Sequence, residues 1–270
     1  MIDFYTNVNR SNKICQYLHI SQVLILGGFY DSKISLINMR ESKIVPINFV
    51  PFKDDSPITS IEVSQDEEYL FLGNKIGNVL IYRISADVLD NSKWIEVKLI
   101  TDQLYQISHI QLNNELNWWS STSSEGYVNI YTLPECKLIR SIKNPKHCTH
   151  SFLSSTPLPS IVIIVEDGKK TQIICYSING KEMGKREENF LLNNPLLLKD
   201  RNFNEYLGYA GNKKVVILSL PKLNAKIEHL EAEIYGLCLS ADKTILYALS
   251  ENTQTTILIT DDKKKHNNNN

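Results

Sequence analysis

Apolar and polar residues alternate in short runs along this chain, most clearly at 57–85, PITSIEVSQDEEYLFLGNKIGNVLIYRIS. Ile58, Ser60 and Glu62 alternate there with Thr59, Ile61 and Val63, and a polar turn follows at 64–67. Residues 69–72 form an apolar run that ends at Gly73, and Gly77-Asn78 marks a second turn before the apolar run 79–84. Short runs rich in β-branched and aromatic residues, cut by Gly, Asn and Asp, predict strands joined by hairpins.

The same order recurs. EGYVNIYTL at 125–133 repeats IGNVLIYRI at 76–84, and LCLSADKTILYALS at 237–250 matches IEVSQDEEYLFLGN at 61–74. Six copies follow, at 14–50, 57–100, 105–143, 147–188, 194–231 and 234–260. Their period of about 40 residues is that of one four-stranded propeller blade. The expected fold is therefore an all-β β-propeller of six blades, with seven as the alternative count. The sixth copy lacks a fourth strand, and 2–6 (IDFYT) is the candidate to supply it and close the ring, hiding both sheet edges. No long segment carries a 3.6-residue apolar period, so helix should be scarce. No Pro/Gly/Ser-rich linker divides 1–260, which reads as one domain. The tail 261–270, DDKKKHNNNN, is low-complexity and is predicted to be disordered.

Composition narrows the function classes. A chain of 270 residues with 42% hydrophobic and 22% charged residues can bury a large core. Its formal net charge of -1 argues against nucleic acid as a main partner, because phosphate binding draws on a basic surplus. Five cysteines without paired spacing predict reduced thiols. The N-terminus lacks a signal-peptide layout, and no apolar run approaches the roughly 20 residues that span a bilayer. The expected location is cytoplasmic, or peripheral on endomembranes, with membrane association only indirect.

Few residues invite chemistry. His147, Cys148 and His150 suggest a metal, but structural zinc needs four ligands and no second pair follows at suitable spacing. Strand alternation also sends His147 to the face opposite Cys148 and His150. The serines at 120–124 and 154–155 contain no G-x-S-x-G elbow and read as turn residues. Gly27-Gly28 lacks the third glycine of a dinucleotide fingerprint. No catalytic, cofactor or metal site is predicted, and Lys185-Arg186 reads as a solvated turn. A propeller hydrolase would need several ionisable groups converging on a channel. The candidate protein-binding residues are two aromatic pairs, Phe29-Tyr30 at a turn and Trp118-Trp119 on a strand. Neighbours on a strand face opposite ways, so one Trp ring can be core while the other lies against a neighbouring blade or in solvent; the bland alternative buries both between blades.

The repeats resemble divergent WD repeats, with Ile81-Tyr82, Ile130-Tyr131 and Cys175-Tyr176 where a Trp-Asp pair is usual. More narrowly, LILGGFYDSKISLINMRESKIV at 24–45, CYSINGKEMGK at 175–185, VVILSLPKL at 215–223 and IYGLCLSADKTILYAL at 234–249 resemble the C-terminal propeller of BEACH-domain proteins of the neurobeachin and lysosomal-trafficking-regulator type. Phe29-Tyr30 stands where that family has a His-Trp pair, and the BEACH and pleckstrin-like domains are absent from the sequence. The resemblance implies a non-enzymatic scaffold in vesicle and lysosome-related membrane traffic. Its partners would be other proteins or peptides, including a BEACH module in cis or in trans. The chain would be either a fragment or a short paralogue. A general WD adaptor, in a ubiquitin ligase or RNA-processing complex, is the alternative.

Overall fold

A computed structural model describes residues 15–27, 32–40, 47–144, 146–200, 202–230, 233–234, 236–239, 245–250 and 254–258. Almost all of them lie in strands or the turns between strands. The first sheet comprises β1 (Cys15–Leu18), β2 (Val23–Gly27), β3 (Ile34–Asn38) and β4 (Ile47–Phe49). The second has β5 (Ile58–Val63), β6 (Tyr69–Asn74), β7 (Val79–Arg83) and β8 (Ile95–Ile100). The third has β9 (Ile107–Asn113), β10 (Trp118–Ser123), β11 (Tyr127–Thr132) and β12 (Leu138–Lys143). The fourth has β13 (Cys148–Ser154), β14 (Ser160–Asp167), β15 (Lys170–Ser177) and β16 (Glu182–Glu188). The fifth has β17 (Asn193–Lys199), β18 (Glu205–Gly211), β19 (Lys214–Ser219) and β20 (Asn224–His229). The sixth has β21 (Gly236–Leu239), β22 (Ile245–Leu249) and β23 (Gln254–Leu258).

Every sheet is a meander in which sequence neighbours pair, and the ladders run antiparallel. This is blade topology: the chain is an all-β protein of the β-propeller class with six blades, and its sixth blade shows three strands among the described residues. The one helical turn among them is the 3-10 segment Asn91–Lys93. The candidate closing strand at 2–6 and the tail at 261–270 lie outside the described residues.

Two compact units divide the chain, 1–153 with 162–167, and 154–161 with 168–270. In the first unit β5 lies against both β1 and β9, so the leading strands of successive blades are neighbours. Facing β-branched and aliphatic side chains fill the space between blades one and two, among them Ile25, Leu36, Ile61, Leu72 and Leu80. Each such side chain, fully buried, contributes about 1.5–3 kcal/mol. Between blades two and three the filling is aromatic. Trp119 stacks on Tyr131 with centroids 4.2 Å apart and meets Phe71 at 5.1 Å.

The glycines of the 57–85 pattern have separate reasons. A Cβ on Gly73 would lie 2.6 Å from Ile107, so the blades meet there only without a side chain. Gly77 has φ +100, the left-handed region that glycine enters without strain, and a Cβ would sit 2.4 Å from the Gln103 carbonyl.

Hydroxyl groups stitch consecutive blades. Thr59 donates to the Ile107 carbonyl at 2.6 Å, and Ser108 donates to that of Cys148 at 2.9 Å. Thr122 donates to Ser151 at 2.6 Å. These bonds correct the turn reading of the serines at 120–124. Residues 120–123 belong to β10 and are fully buried, because their hydroxyls find partners: Ser151 across the blade interface for Ser120 and Thr122, Gln103 for Ser121 and the Tyr127 N–H for Ser123. Ser124 alone of that run lies in the turn.

The second unit has its own core, in which Leu198, Ala210, Val215 and Ile217 of blade five pack with Ile234, Leu246, Ala248 and Ile257. The Ser-Ile-Asn-Gly segment makes the β15–β16 hairpin turn. Gly180 has φ +81, its N–H donates to the Ser177 carbonyl at 2.8 Å, and Ser177 N–H donates to that of Lys181 at 2.8 Å.

Candidate functional site

The two aromatic pairs singled out from the sequence have different fates. Phe29 and Tyr30 lie outside the described residues. Trp119 is fully buried in the wedge between blades two and three, whereas Trp118, its neighbour on β10, is half-buried. Alternation along the strand thus makes Trp119 a core residue and gives Trp118 the more accessible ring.

His147 precedes β13, and the strand that follows it is buried on both faces. His147 is exposed, with its Nδ1 2.7 Å from the Ser124 carbonyl oxygen. Cys148 and His150 are buried. His150 packs its ring 4.9 Å from that of His109, and both lie beside Phe152. Burial pushes the Cys148 thiol up to about 12, so it is a protonated core group at neutral pH. Among the described residues no His/Cys/Asp/Glu group is arranged to hold a metal ion.

One buried polar network of the first unit leaves no trace in the sequence pattern. The Tyr131 hydroxyl donates to Asp102, whose two carboxylate oxygens lie 2.7 and 2.6 Å away, and accepts from Asn129 at 3.1 Å. Gln103 donates to Ser121 Oγ at 2.6 Å beside it. Burial first, then the Asp102 carboxylate, raises the Tyr131 phenol well above its ordinary range. The network therefore joins the 101–106 loop to β11 through the Tyr131 phenol and to β10 through Gln103.

Exposed apolar side chains are the natural contacts for a partner, and their arrangement decides their use. On β8, Ile95, Val97 and Leu99 are exposed and alternate with Glu96 and Lys98. The register shift between Ile81 and Tyr82 breaks that alternation. Leu99 then pairs with Leu80 and Ile95 with Arg83, and these partners point to opposite faces of β7. No continuous apolar stripe results.

The second unit holds a better-built surface. Leu158, between β14 and the preceding strand, and Phe203, between β17 and β18, are each 65% exposed. Their loops are tied together by the Thr156 hydroxyl, which donates to the Phe203 carbonyl at 2.9 Å. Beneath them Glu205, 5% exposed, accepts from Ser154 Oγ at 2.6 Å, Ser155 N–H at 2.7 Å, Ser155 Oγ at 2.8 Å and Thr156 N–H at 3.2 Å. Lys199 lies 3.7 Å from the same carboxylate and 5.4 Å from the Phe203 ring centroid.

Asp200 closes the Phe203 turn. It accepts from the N–H groups of Asn202 and Asn204 at 2.8 and 2.9 Å, and from the Tyr206 hydroxyl at 3.1 Å. Burial pushes this carboxyl up, but the donors of Asn204, Tyr206 and Asn202 outweigh it and hold the group below its ordinary value. Phe203 itself has φ +63, a left-handed conformation that costs a non-glycine residue about 1–2 kcal/mol. The surrounding bonds hold that strained turn, which carries the exposed aromatic ring.

The first unit offers a groove instead. It measures about 590 Å³ and lies between the 19–22 turn, the 64–68 turn and the long connection from β7 to β8. Compared with protein-family models and with curated proteins, the chain matches none.

Proposed function

We propose that this chain is a non-enzymatic protein-interaction scaffold that binds its partners through loops held rigid by the blades. The observation that carries this reading is the Leu158–Phe203 pair, two large apolar side chains exposed on loops fastened from below by Glu205 and Asp200. A side chain already fixed in its binding geometry loses little conformational entropy on association, and aromatic rings dominate binding hot spots.

The narrower setting is that of the BEACH-type propeller, a cytoplasmic or endomembrane-peripheral scaffold in vesicle and lysosome-related traffic. It rests on the similarity of 24–45, 175–185, 215–223 and 234–249 to that family. The most specific of those segments is 177–181, which forms the β15–β16 hairpin turn.

Affinity purification with the intact chain and with the Leu158→Asp/Phe203→Asp double variant tests both levels. The wild type should retain a discrete set of proteins enriched in membrane-traffic components, and the variant should lose most of it while a change at a still more exposed leucine, Leu104→Asp, does not. Partners that ignore the double variant would remove the loops from the account. Partners drawn from ubiquitin-ligase or RNA-processing complexes would favour a general adaptor.

A further inference from the structure

The groove of the first unit differs in chemistry from the Leu158–Phe203 surface. Its floor is apolar, with Val23, Ile84 and Val88 buried beneath it and Ile20 standing 67% exposed at one lip. Four carboxylates line it, Asp66, Glu67, Glu68 and Asp87, against two arginines, Arg40 and Arg83.

The walls are fixed by part of that charge. Glu67 accepts from the N–H groups of Ile20 and Ser21 at 2.7 and 3.0 Å and from the Ser21 hydroxyl at 2.9 Å. Arg40 donates to the Ile20 carbonyl at 3.0 Å and to Gln22 at 3.2 Å, so both ends of the turn are clamped. The opposite wall is held by the Ser85 hydroxyl and the Asp90 N–H, which donate to the Asp87 carbonyl at 2.6 and 3.1 Å.

With Glu67 and Arg40 committed to the walls, and Asp66 Oδ1 accepting from the Ser64 hydroxyl and the Glu68 N–H, Glu68 and Asp87 are the carboxylates left to balance Arg83. The Arg83–Glu68 contact is 3.9 Å between groups more than half exposed, a geometry worth little. A surplus of negative charge therefore borders an apolar floor. We propose that this groove binds an extended peptide segment in which a lysine or arginine neighbours an aliphatic residue. The aliphatic side chain lies on Val23 and Val88 beside Ile20, and the cation meets Glu68 and Asp87. Phosphorylated or acidic segments are repelled. The volume falls within the range of ligand sites, about 300–1,000 Å³.

The proposal stands on the groove alone and does not need the Leu158–Phe203 surface. Fluorescence polarisation with the full chain tests it. The probes are fluorescein-labelled octapeptides in which leucine alternates with lysine or arginine, and a matched set with glutamate in place of the cations. The cationic set should bind at least tenfold more tightly than the acidic set, with affinity falling as salt rises. Glu68→Lys/Asp87→Lys should weaken cationic binding at least tenfold, and Ile20→Asp should weaken it without altering the charge order. Leu158→Asp/Phe203→Asp should leave it unchanged, so that failure of the groove and failure of the loop surface remain distinguishable. Equal binding of both sets, binding of neither, or cationic binding untouched by the charge reversals would overturn the proposal.

Discussion

Replacing Glu205 by alanine tests whether a buried carboxylate holds the exposed loops. The side chain is 3% exposed and takes four hydrogen bonds from 154–156, two of them from backbone N–H groups. A hydrogen bond to a charged acceptor is worth about 1.5–3 kcal/mol, and a donor left without a partner costs about 1–3 kcal/mol when water cannot reach it. Ser155 and Thr156 are only half-buried, so water relieves part of that cost, and the hydroxyls can turn elsewhere. Loss of the carboxylate also removes its own desolvation penalty. The net expectation for Glu205→Ala is a loss of about 3 kcal/mol, against about 1 kcal/mol for Glu205→Gln, which keeps one acceptor oxygen. Urea unfolding followed by far-ultraviolet circular dichroism measures both, with the midpoint shift read at constant slope. A Glu205→Ala loss below about 0.5 kcal/mol, the range of ordinary surface changes, would show that the loops do not depend on this group.

Trp119→Ala should cost about 3–5 kcal/mol, because it empties the wedge between Phe71 and Tyr131, and Trp118→Ala should cost far less; thermal unfolding of the two variants separates them. Thiol reagents should modify exposed Cys15 in the native chain at neutral pH and leave Cys136, Cys148 and Cys175 protected until urea is added, which peptide mapping would reveal. Stability should fall in alkali. Burial raises the Cys148 thiol from its ordinary 9.0 to about 12 and Cys175 to about 11, so the folded chain holds protons that the unfolded chain releases above pH 9. That stability is intact below pH 9 and disappears between pH 9 and about 11 to 12. Each thiol loses about 1.4 kcal/mol per pH unit, hence about 2 kcal/mol by pH 10.5. Urea midpoints of the wild type and Cys148→Ala across pH 8 to 10.5 should diverge in slope.

The blades were legible because their signal is local. Alternation at 58–63, the glycine that ends β6 and the Gly77-Asn78 turn all express backbone geometry that neighbouring residues dictate. β16 left only a faint trace, since Glu182–Glu188 is a largely exposed polar strand with no apolar side to alternate. The serines of β10 read as turn residues because a hydroxyl buried against the next blade and one in a solvent turn look alike in sequence. The loop surface was invisible for the same physical reason. Glu205 resembles any surface glutamate until β18 carries it under the 154–156 backbone, and Phe203 resembles a core residue until its turn faces it outward. Trp118-Trp119 drew attention by composition, and alternation explains why the ring at 119 is spent on packing.

The central claim, that Phe203 and Leu158 present a rigid contact for a protein partner, is tested most directly by placing a photo-crosslinking benzoylphenylalanine at position 203 in cells. The account predicts one or a few discrete protein adducts, absent when the same group stands at Lys213, an exposed turn residue of the same unit. No adduct at 203, or the same diffuse pattern at both positions, would contradict it.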